Sequence, residues 1–186
     1  MRKNFGAAPI LYPQPVFILA AYDQLGNPNA MNVAWGGISE EKEISMCIGG
    51  GRKTLQNIKD KGAFTVSMAT ADTVAQCDYM GIVSGNNDPA KLDRIGWTTT
   101  KSEFVDAPII DQLPMTLECK LISYDEKTCR LVGEIVNVCA DEAILNDAGN
   151  IDPAKLRPIT FDPMNNDYLV LGEKVGNAFR DGLELR

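Results

Sequence analysis

Short apolar or alternating segments, each closed by turn-forming residues, recur along most of the chain. This pattern is typical of strands rather than helices. Strands are predicted at residues 16–22, 30–35, 43–48, 64–68, 115–124, 130–139 and 168–171. Many short strands with few helices predict a mainly β fold with short peripheral helices, arranged as an antiparallel barrel. No linker or shift in composition interrupts the 186 residues, so one domain over 1–186 is expected.

The predicted helices are short. One covers 54–61 and stops at Gly62, and a weaker pattern covers 71–80. The string Asp-Pro-Ala-Lys-Leu occurs at 88–92 and again at 152–156, with aspartate as N-cap and proline at the first helical position. The first of these helices should end at Gly96. Since the flanking residues do not match, the repeated string indicates a reused helix start, not an internal repeat.

The charge balance and the absence of histidine exclude several classes of function. The chain carries 25 acidic and 18 basic residues, a net charge of -7, whereas nucleic-acid binding depends on a positive excess. No nucleic acid is therefore expected as a partner. With no histidine, a Ser-His-Asp triad, a Cys-His dyad and an H-E-x-x-H zinc site are all impossible.

Cysteine usage points to a reducing compartment. The five cysteines form no C-x-x-C pair and no metal-ligand spacing, so no metal site is expected and each thiol is interpreted as a small buried hydrophobe. The apolar run at 16–22 is too short to span a membrane, and no signal-peptide pattern surrounds it. A cytoplasmic protein without a membrane partner is expected.

A glycine-rich stretch at 48–55 is the first candidate site. Three glycines, Arg52, Lys53 and Thr54 lie between a strand end and a helix start. Helix N-termini favour anions, glycines allow close approach of the backbone, and a guanidinium can bind phosphate with two hydrogen bonds. The stretch is not a Walker A loop, because Arg52 precedes the lysine. It predicts either a phosphate site or a solvated basic turn with Thr54 as an ordinary N-cap.

A second stretch, at 26–36, carries two asparagines ahead of a tryptophan. Asn29 and Asn32 can both donate and accept hydrogen bonds, which suits the edge of a flavin or pyrimidine ring. Trp35 could stack on such a ring or fill the core. Beside a phosphate site, these residues favour an anionic ligand with a flat ring system; alone, they fit a core strand and its turn.

The ordered set of motifs resembles the flavin reductase-like proteins with an FMN-binding split barrel, in particular their flavoredoxin branch. The resemblance runs through nearly the whole chain and includes Gly26-x-x-Asn29-Ala30-Met31-x-x-Ala34-Trp35, Arg52-Lys53-Thr54-x-x-Asn57-Ile58, Met80-Gly81-x-x-Ser84-Gly85, Gly133-Glu134-Ile135 and Tyr168-x-x-Leu171-Gly172-Glu173-x-x-Gly176-x-Ala178-Phe179. It implies an antiparallel, Greek-key-like split barrel, a homodimer, and FMN bound without a covalent link.

The resemblance also implies roles for particular residues. Arg52, Lys53 and Thr54 would hold the FMN phosphate, and Lys91 would lie near the cofactor. The ring and ribityl chain would meet a further group: Asn29, Met31, Asn32, Val33, Ala34, Trp35, Cys47, Ile48 and Phe161. Without the resemblance, the sequence predicts that Lys91 is a solvated charge on a helix and that Phe161 is a core aromatic residue.

The implied activity is transfer of electrons from NADH or NADPH through FMN to an acceptor, since the cofactor supplies the redox chemistry. The alternatives are an electron carrier or flavin-storage protein without NAD(P)H turnover, and a cofactor-free interaction domain. One departure from the family bears on this choice. Many relatives carry a histidine five residues ahead of Gly133, where this chain has Thr128.

Overall fold

The computed structural model describes residues 1–186 as eleven strands, four α-helices and three short 3-10 turns. The strands are β1 Phe17–Tyr22, β2 Pro28–Val33, β3 Gly36–Glu40, β4 Glu43–Cys47, β5 Ala63–Met68, β6 Thr99–Lys101, β7 Pro108–Ile110, β8 Met115–Asp125, β9 Arg130–Ala140, β10 Ile159–Asp162 and β11 Asp167–Val170. The helices are α1 Lys53–Lys61, α2 Val74–Ile82, α3 Lys91–Arg94 and α4 Pro153–Leu156.

Seven strands form one antiparallel sheet in the order β2-β1-β5-β8-β9-β4-β3. Its two edge strands, β2 and β3, follow one another in the chain with only Ala34 and Trp35 between them. Two residues cannot cross a flat sheet of seven strands, since neighbouring strands lie about 4.8 Å apart. The sheet therefore curls into an open barrel, and the Cys47 N–H, which donates to the Trp35 carbonyl at 2.8 Å, continues the β3–β4 pairing up to this link.

Two apolar clusters cover the two faces of this sheet. The larger fills the barrel and includes Leu19, Phe64 and Leu131, with Leu55 and Ile58 contributed by α1. The second lies between the outer face of β1 and the peripheral helices and includes Ile18, Met80 and Trp97. Alternate residues of β1 thus enter opposite clusters, which explains why this strand reads as a continuous apolar run. None of the helices is long and apolar enough to cross a membrane.

The predicted mainly β class with short helices is confirmed, and so are most strands. Within 30–35, however, the strand ends at Val33 and a second strand starts at Gly36. The missed strand β3 has two adjacent glycines and a bulge between Ile38 and Glu40, so it lacks regular alternation. Strands β6, β7 and β10, of three or four residues each, were also missed.

Two helix predictions need correction. The segment 71–80 contains a 3-10 turn at Ala71–Thr73, and α2 then runs to Ile82. Asp88 is not the N-cap of α3: Ala90 is, because Asp88 accepts from the Ala90 N–H and closes a turn instead. The second copy of the string behaves as predicted, since Asp152 caps α4 through the Ala154 N–H at 2.8 Å.

Gly133 on β9 is required by the packing of Phe64 inside the barrel. A Cβ added to Gly133 would overlap Cζ of that ring and lie 2.9 Å from Cε1. We expect Gly133→Ala to lower the free energy of unfolding by about 1–3 kcal/mol through overpacking. Chemical denaturation measures it, with Gly37→Ala as control because its added Cβ meets nothing within 4 Å. Equal losses in both variants would contradict this account.

Candidate functional site

The chain brings three walls, and Lys91 from the start of α3, together at one small cavity of about 90 Å³, named here the cationic pocket. Strand β2 forms one wall, the start of α1 forms the second, and the end of α2 with its following turn forms the third. Its lining residues are Asn29, Met31, Asn32, Arg52, Lys53, Thr54, Met80, Gly81, Val83, Ser84, Gly85 and Lys91.

The start of α1 leaves its positive end open. Gly51 has a left-handed φ of 76°, which turns the chain, and Arg52 then takes the N-cap position in an extended conformation. No side chain caps this end and no acidic residue lies in the first turn. The first backbone N–H groups of a helix have no partner within it. This end of α1 therefore offers unpaired donors and a partial positive charge to an anion.

Two buried side chains fix this helix start against the sheet. Thr54, 1% exposed, donates its hydroxyl to Oδ1 of Asn29, 4% exposed, at 2.9 Å. Gly85 packs so closely on Asn29 that an added Cβ would overlap its amide, and one at Gly81 would lie 3.2 Å from Cβ of Asn32. The two glycines therefore allow the turn after α2 to approach β2.

Arg52 and Lys53 bring positive charge to the pocket and form no ion pair with the rest of the chain. The molecule has five ion pairs, and neither residue takes part in any of them. Most of the 18 basic residues lie outside these ion pairs, so what distinguishes Arg52 and Lys53 is their position at the uncapped start of α1. An anion bound between them would have little intramolecular competition for either side chain.

Lys91 adds a third, buried cation. Its side chain is fixed by the carbonyls of Met80 at 3.1 Å and Val83 at 2.7 Å. Burial lowers its pKa to about 8, with Asp88 opposing and the charge of Arg52 adding to the decrease. An ammonium has three N–H donors, so one remains after these two contacts. The interpretation of Lys91 as a solvated charge is therefore wrong, because the residue is only 1% exposed.

Further along the same wall, Trp35 lies at the lip of the barrel with half of its surface exposed. It separates two shallow cavities. One, of about 370 Å³, also contacts Cys47, Thr128 and Arg130. The other, of about 350 Å³ and mostly apolar, includes Ala34 and residues 8–11; we name it the apolar groove. Trp35 follows Asn32 by three residues, about 10 Å along an extended chain.

Three of the residues singled out from the sequence lie elsewhere. Val33 and Ile48 are 6% and 2% exposed and belong to the cluster inside the barrel. The Phe161 ring packs against Tyr168, with ring centroids 6.1 Å apart, beside the outer cluster. Seven others line the cationic pocket: Asn29, Met31, Asn32, Arg52, Lys53, Thr54 and Lys91.

The third wall of the pocket was not among the predicted site residues. Met80, Gly81, Val83, Ser84 and Gly85 all line it. The sequence signal is the pair of glycines four residues apart, one in the last turn of α2 and one after it, which indicates close backbone packing. Nothing local in the sequence says that this turn packs on β2.

Thr128, where many relatives carry histidine, lies in the turn between β8 and β9. Its hydroxyl donates to Oδ2 of Asp125 at 2.9 Å, and it contacts the cavity beside Trp35 and Cys47. The position at which this chain differs from many relatives is therefore on the wall of this cavity.

Comparison with known proteins supports these findings. A family model described as flavin reductase like domain matches residues 10–155. The structure resembles flavoredoxin of Desulfovibrio vulgaris (Miyazaki F), with a TM-score of 0.93 and 38% identity over 98% of this chain and 100% of that one. It also resembles an FMN-binding domain of a flavin reductases-like enzyme from Shewanella baltica OS155, with a TM-score of 0.77 and 21% identity over 88% and 89% of the two chains.

A curated relative is less informative. An uncharacterized protein of Aquifex aeolicus is 27% identical over 113 residues, which span 58% of this chain and 56% of that protein. This chain thus matches little more than half the length of that relative. Together the comparisons confirm the resemblance to the flavoredoxin branch and the split-barrel fold.

The buried ammonium of Lys91 gives stability a defined pH dependence. Its pKa of about 8 lies below the ordinary 10.5, so the unfolded chain binds the proton more tightly. Its contribution to the free energy of unfolding therefore rises by up to about 3 kcal/mol between pH 8 and pH 10.5. Above pH 10.5 the contribution stays constant. Denaturation of the wild type against Lys91→Met across this range measures the difference. A pH-independent difference would contradict the burial.

Proposed function

The chain belongs to the flavin reductase-like family, and we propose that it binds FMN in the cationic pocket and works as an FMN-dependent oxidoreductase. One observation carries the proposal. An uncapped helix N-terminus, two unpaired cations and a buried lysine converge on a cavity that holds no carboxylate. This donor set suits a phosphate group, because phosphate accepts several charge-assisted hydrogen bonds at once.

The volume of the pocket indicates that only one part of the ligand is bound inside it. Whole small-molecule sites occupy about 300–1,000 Å³. The 90 Å³ here suits a phosphate but not a complete flavin mononucleotide. We therefore place the phosphate between Arg52, Lys53, Thr54 and Lys91, and the ring outside, along β2 towards Trp35.

The wall around Trp35 suits a ring system. The indole is half exposed and lies at the boundary of two cavities, so one of its faces can receive a flat ligand. Met31 and Ala34 provide apolar contacts on the way from the phosphate site, and the polar side chain of Asn32 lies between them in sequence. The Asn32 amide donates to the Cys77 carbonyl at 3.1 Å, which leaves its oxygen as an acceptor.

When bound, FMN supplies the redox centre, which accepts a hydride or electrons from NADH or NADPH. The residues of this chain bind and orient it. The open end of α1 and the Lys91 ammonium would hold the phosphate and so direct the ring along β2 towards Trp35. Arg130 lines the cavity beside Trp35 and is placed to attract an anionic donor. Thr128 offers only a hydroxyl where relatives offer an imidazole.

The alternative within the same proposal is an electron carrier that holds FMN but does not turn over NAD(P)H. It is favoured by the resemblance to flavoredoxin and by the missing histidine. We also propose a homodimer, as the family resemblance implies, and a cytoplasmic location. The last is supported by five cysteines that are all free thiols in the structure.

We expect Arg52→Gln and Lys53→Gln each to raise the Kd for FMN by about 10-fold or more, since a hydrogen bond to a charged group contributes about 1.5–3 kcal/mol. Fluorescence titration with FMN measures it. Lys61→Gln is the matched control: it lies at the other end of α1 and pairs with Asp106. A double variant that purifies with undiminished flavin would refute the phosphate assignment, and a wild type that binds no FMN would favour a cofactor-free interaction domain.

Anaerobic mixing separates the reductase from the carrier. We expect the loaded protein to lose its long-wavelength flavin absorbance promptly with NADH or NADPH. A persistent flavin spectrum with both donors, followed by bleaching with dithionite, would identify a carrier instead. Thr128→His then tests the departure from the family: if the imidazole assists the donor, the rate of bleaching should increase while the Kd for FMN stays unchanged.

A further inference from the structure

The chain exposes much more surface than a monomer of its mass should. Its accessible area is 11429 Å² at 20.3 kDa. The scaling for folded monomers gives about 8,800 Å², an excess of about 2,600 Å². This excess is of the size that one subunit buries in an extensive permanent interface. The excess comes largely from residues 1–12 and 171–186, where no residue is buried.

Residues 171–186, named here the exposed segment, make no hydrogen bond to the rest of the molecule. Their bonds join only residues of the segment itself, such as the Asn177 N–H to Asp181 Oδ2 at 2.8 Å. Val175 is 100% exposed and Phe179 is 99% exposed. Fully solvated apolar side chains grouped on one segment indicate a surface that is covered by another one.

The apolar groove beside Trp35 is a surface of matching chemistry. It is lined by Ala8, Pro9, Ile10, Leu11 and the Trp35 indole, and no segment of the chain fills it. Next to it, the edge strand β3 exposes two-thirds of Ile38 and one side of its backbone. Protein interfaces are built around such an aromatic residue in an apolar setting.

The apolar groove lies next to the hairpin from which the exposed segment emerges. The exposed segment follows β11, which pairs with β10, and Phe161 of β10 donates its N–H to the Gln14 carbonyl at 2.8 Å. Gln14 itself lines the apolar groove. In a dimer with two-fold symmetry, both subunits use the same patch. If residue i of one copy contacts residue j of the other, then j of the first copy also contacts i of the second. A segment and a groove side by side satisfy this condition.

We propose that the exposed segment of one copy packs into the apolar groove of a second copy, with Phe179 against the Trp35 wall. This rests on the proposed homodimer and deepens it, because the site in each subunit is then completed by its partner. The segment shields Trp35 and the adjacent part of the FMN site from water. A monomer would keep the cationic pocket but lack a cover for the ring.

Photo-crosslinking tests where the segment lies. Full-length protein with Phe179→p-benzoylphenylalanine is mixed with isotopically heavy wild type, left to exchange, irradiated and analysed by mass spectrometry. We expect crosslinks between light and heavy chains, from position 179 to residues 8–11 or 35. Crosslinks confined to single chains, or to another surface of the partner, would overturn the proposal.

A pair of substitutions tests its energetic role. We expect Phe179→Ser to raise the dimer dissociation constant at least 10-fold in sedimentation equilibrium. The matched control Leu25→Ser should leave it unchanged, since Leu25 is 88% exposed in the turn at the other end of the β1–β2 hairpin from Trp35. An unchanged dimer, or a wild type that stays monomeric, would overturn the proposal. Neither readout needs flavin, so failure of FMN binding would leave both results interpretable.

Discussion

The two-residue link between β2 and β3 is the constraint on which the rest of the structure depends. Ala34 and Trp35 join the opposite edges of a seven-stranded sheet, so the sheet has to curl until those edges meet. The same link places the Trp35 indole at the open lip of the barrel. Upstream on β2, Asn29 reaches the start of α1 through Thr54. One strand thus connects the aromatic wall with the cationic pocket.

The pocket combines a rigid frame with donors that the chain itself leaves unused. A capping side chain at the start of α1 would stabilise that helix by about 0.5–2 kcal/mol, yet Arg52 provides none. The cost is offset by buried contacts nearby, including the Asn29–Thr54 hydrogen bond and the carbonyl contacts of Lys91. Unsatisfied donors inside a fixed frame are what preorganised binding of an anion requires.

The sequence was sufficient for the fold class and for most of the central strands, because β1, β5, β8 and β9 carry clear apolar patterns. It failed at β3, where Gly36 and Gly37 remove the alternation, and at the boundary after Val33, which is set by the curl of the sheet. The cationic side of the site was found because glycines, cations and a helix start are adjacent in sequence. The wall from α2 was not, since only tertiary packing brings it against β2. The role of Phe161 was inferred from the resemblance alone. Its ring packs against the outer cluster and does not line the cationic pocket.

The central claim is that the cationic pocket recognises a phosphate group. It is tested most directly by comparing the affinities of the wild-type chain for FMN and for riboflavin, which has the same ring and no phosphate. With at least two charge-assisted contacts to the phosphate, FMN should bind about 100-fold more tightly or better. Equal affinities, measured by calorimetric titration at the same pH and salt concentration, would show that the pocket does not hold the phosphate and would contradict the account.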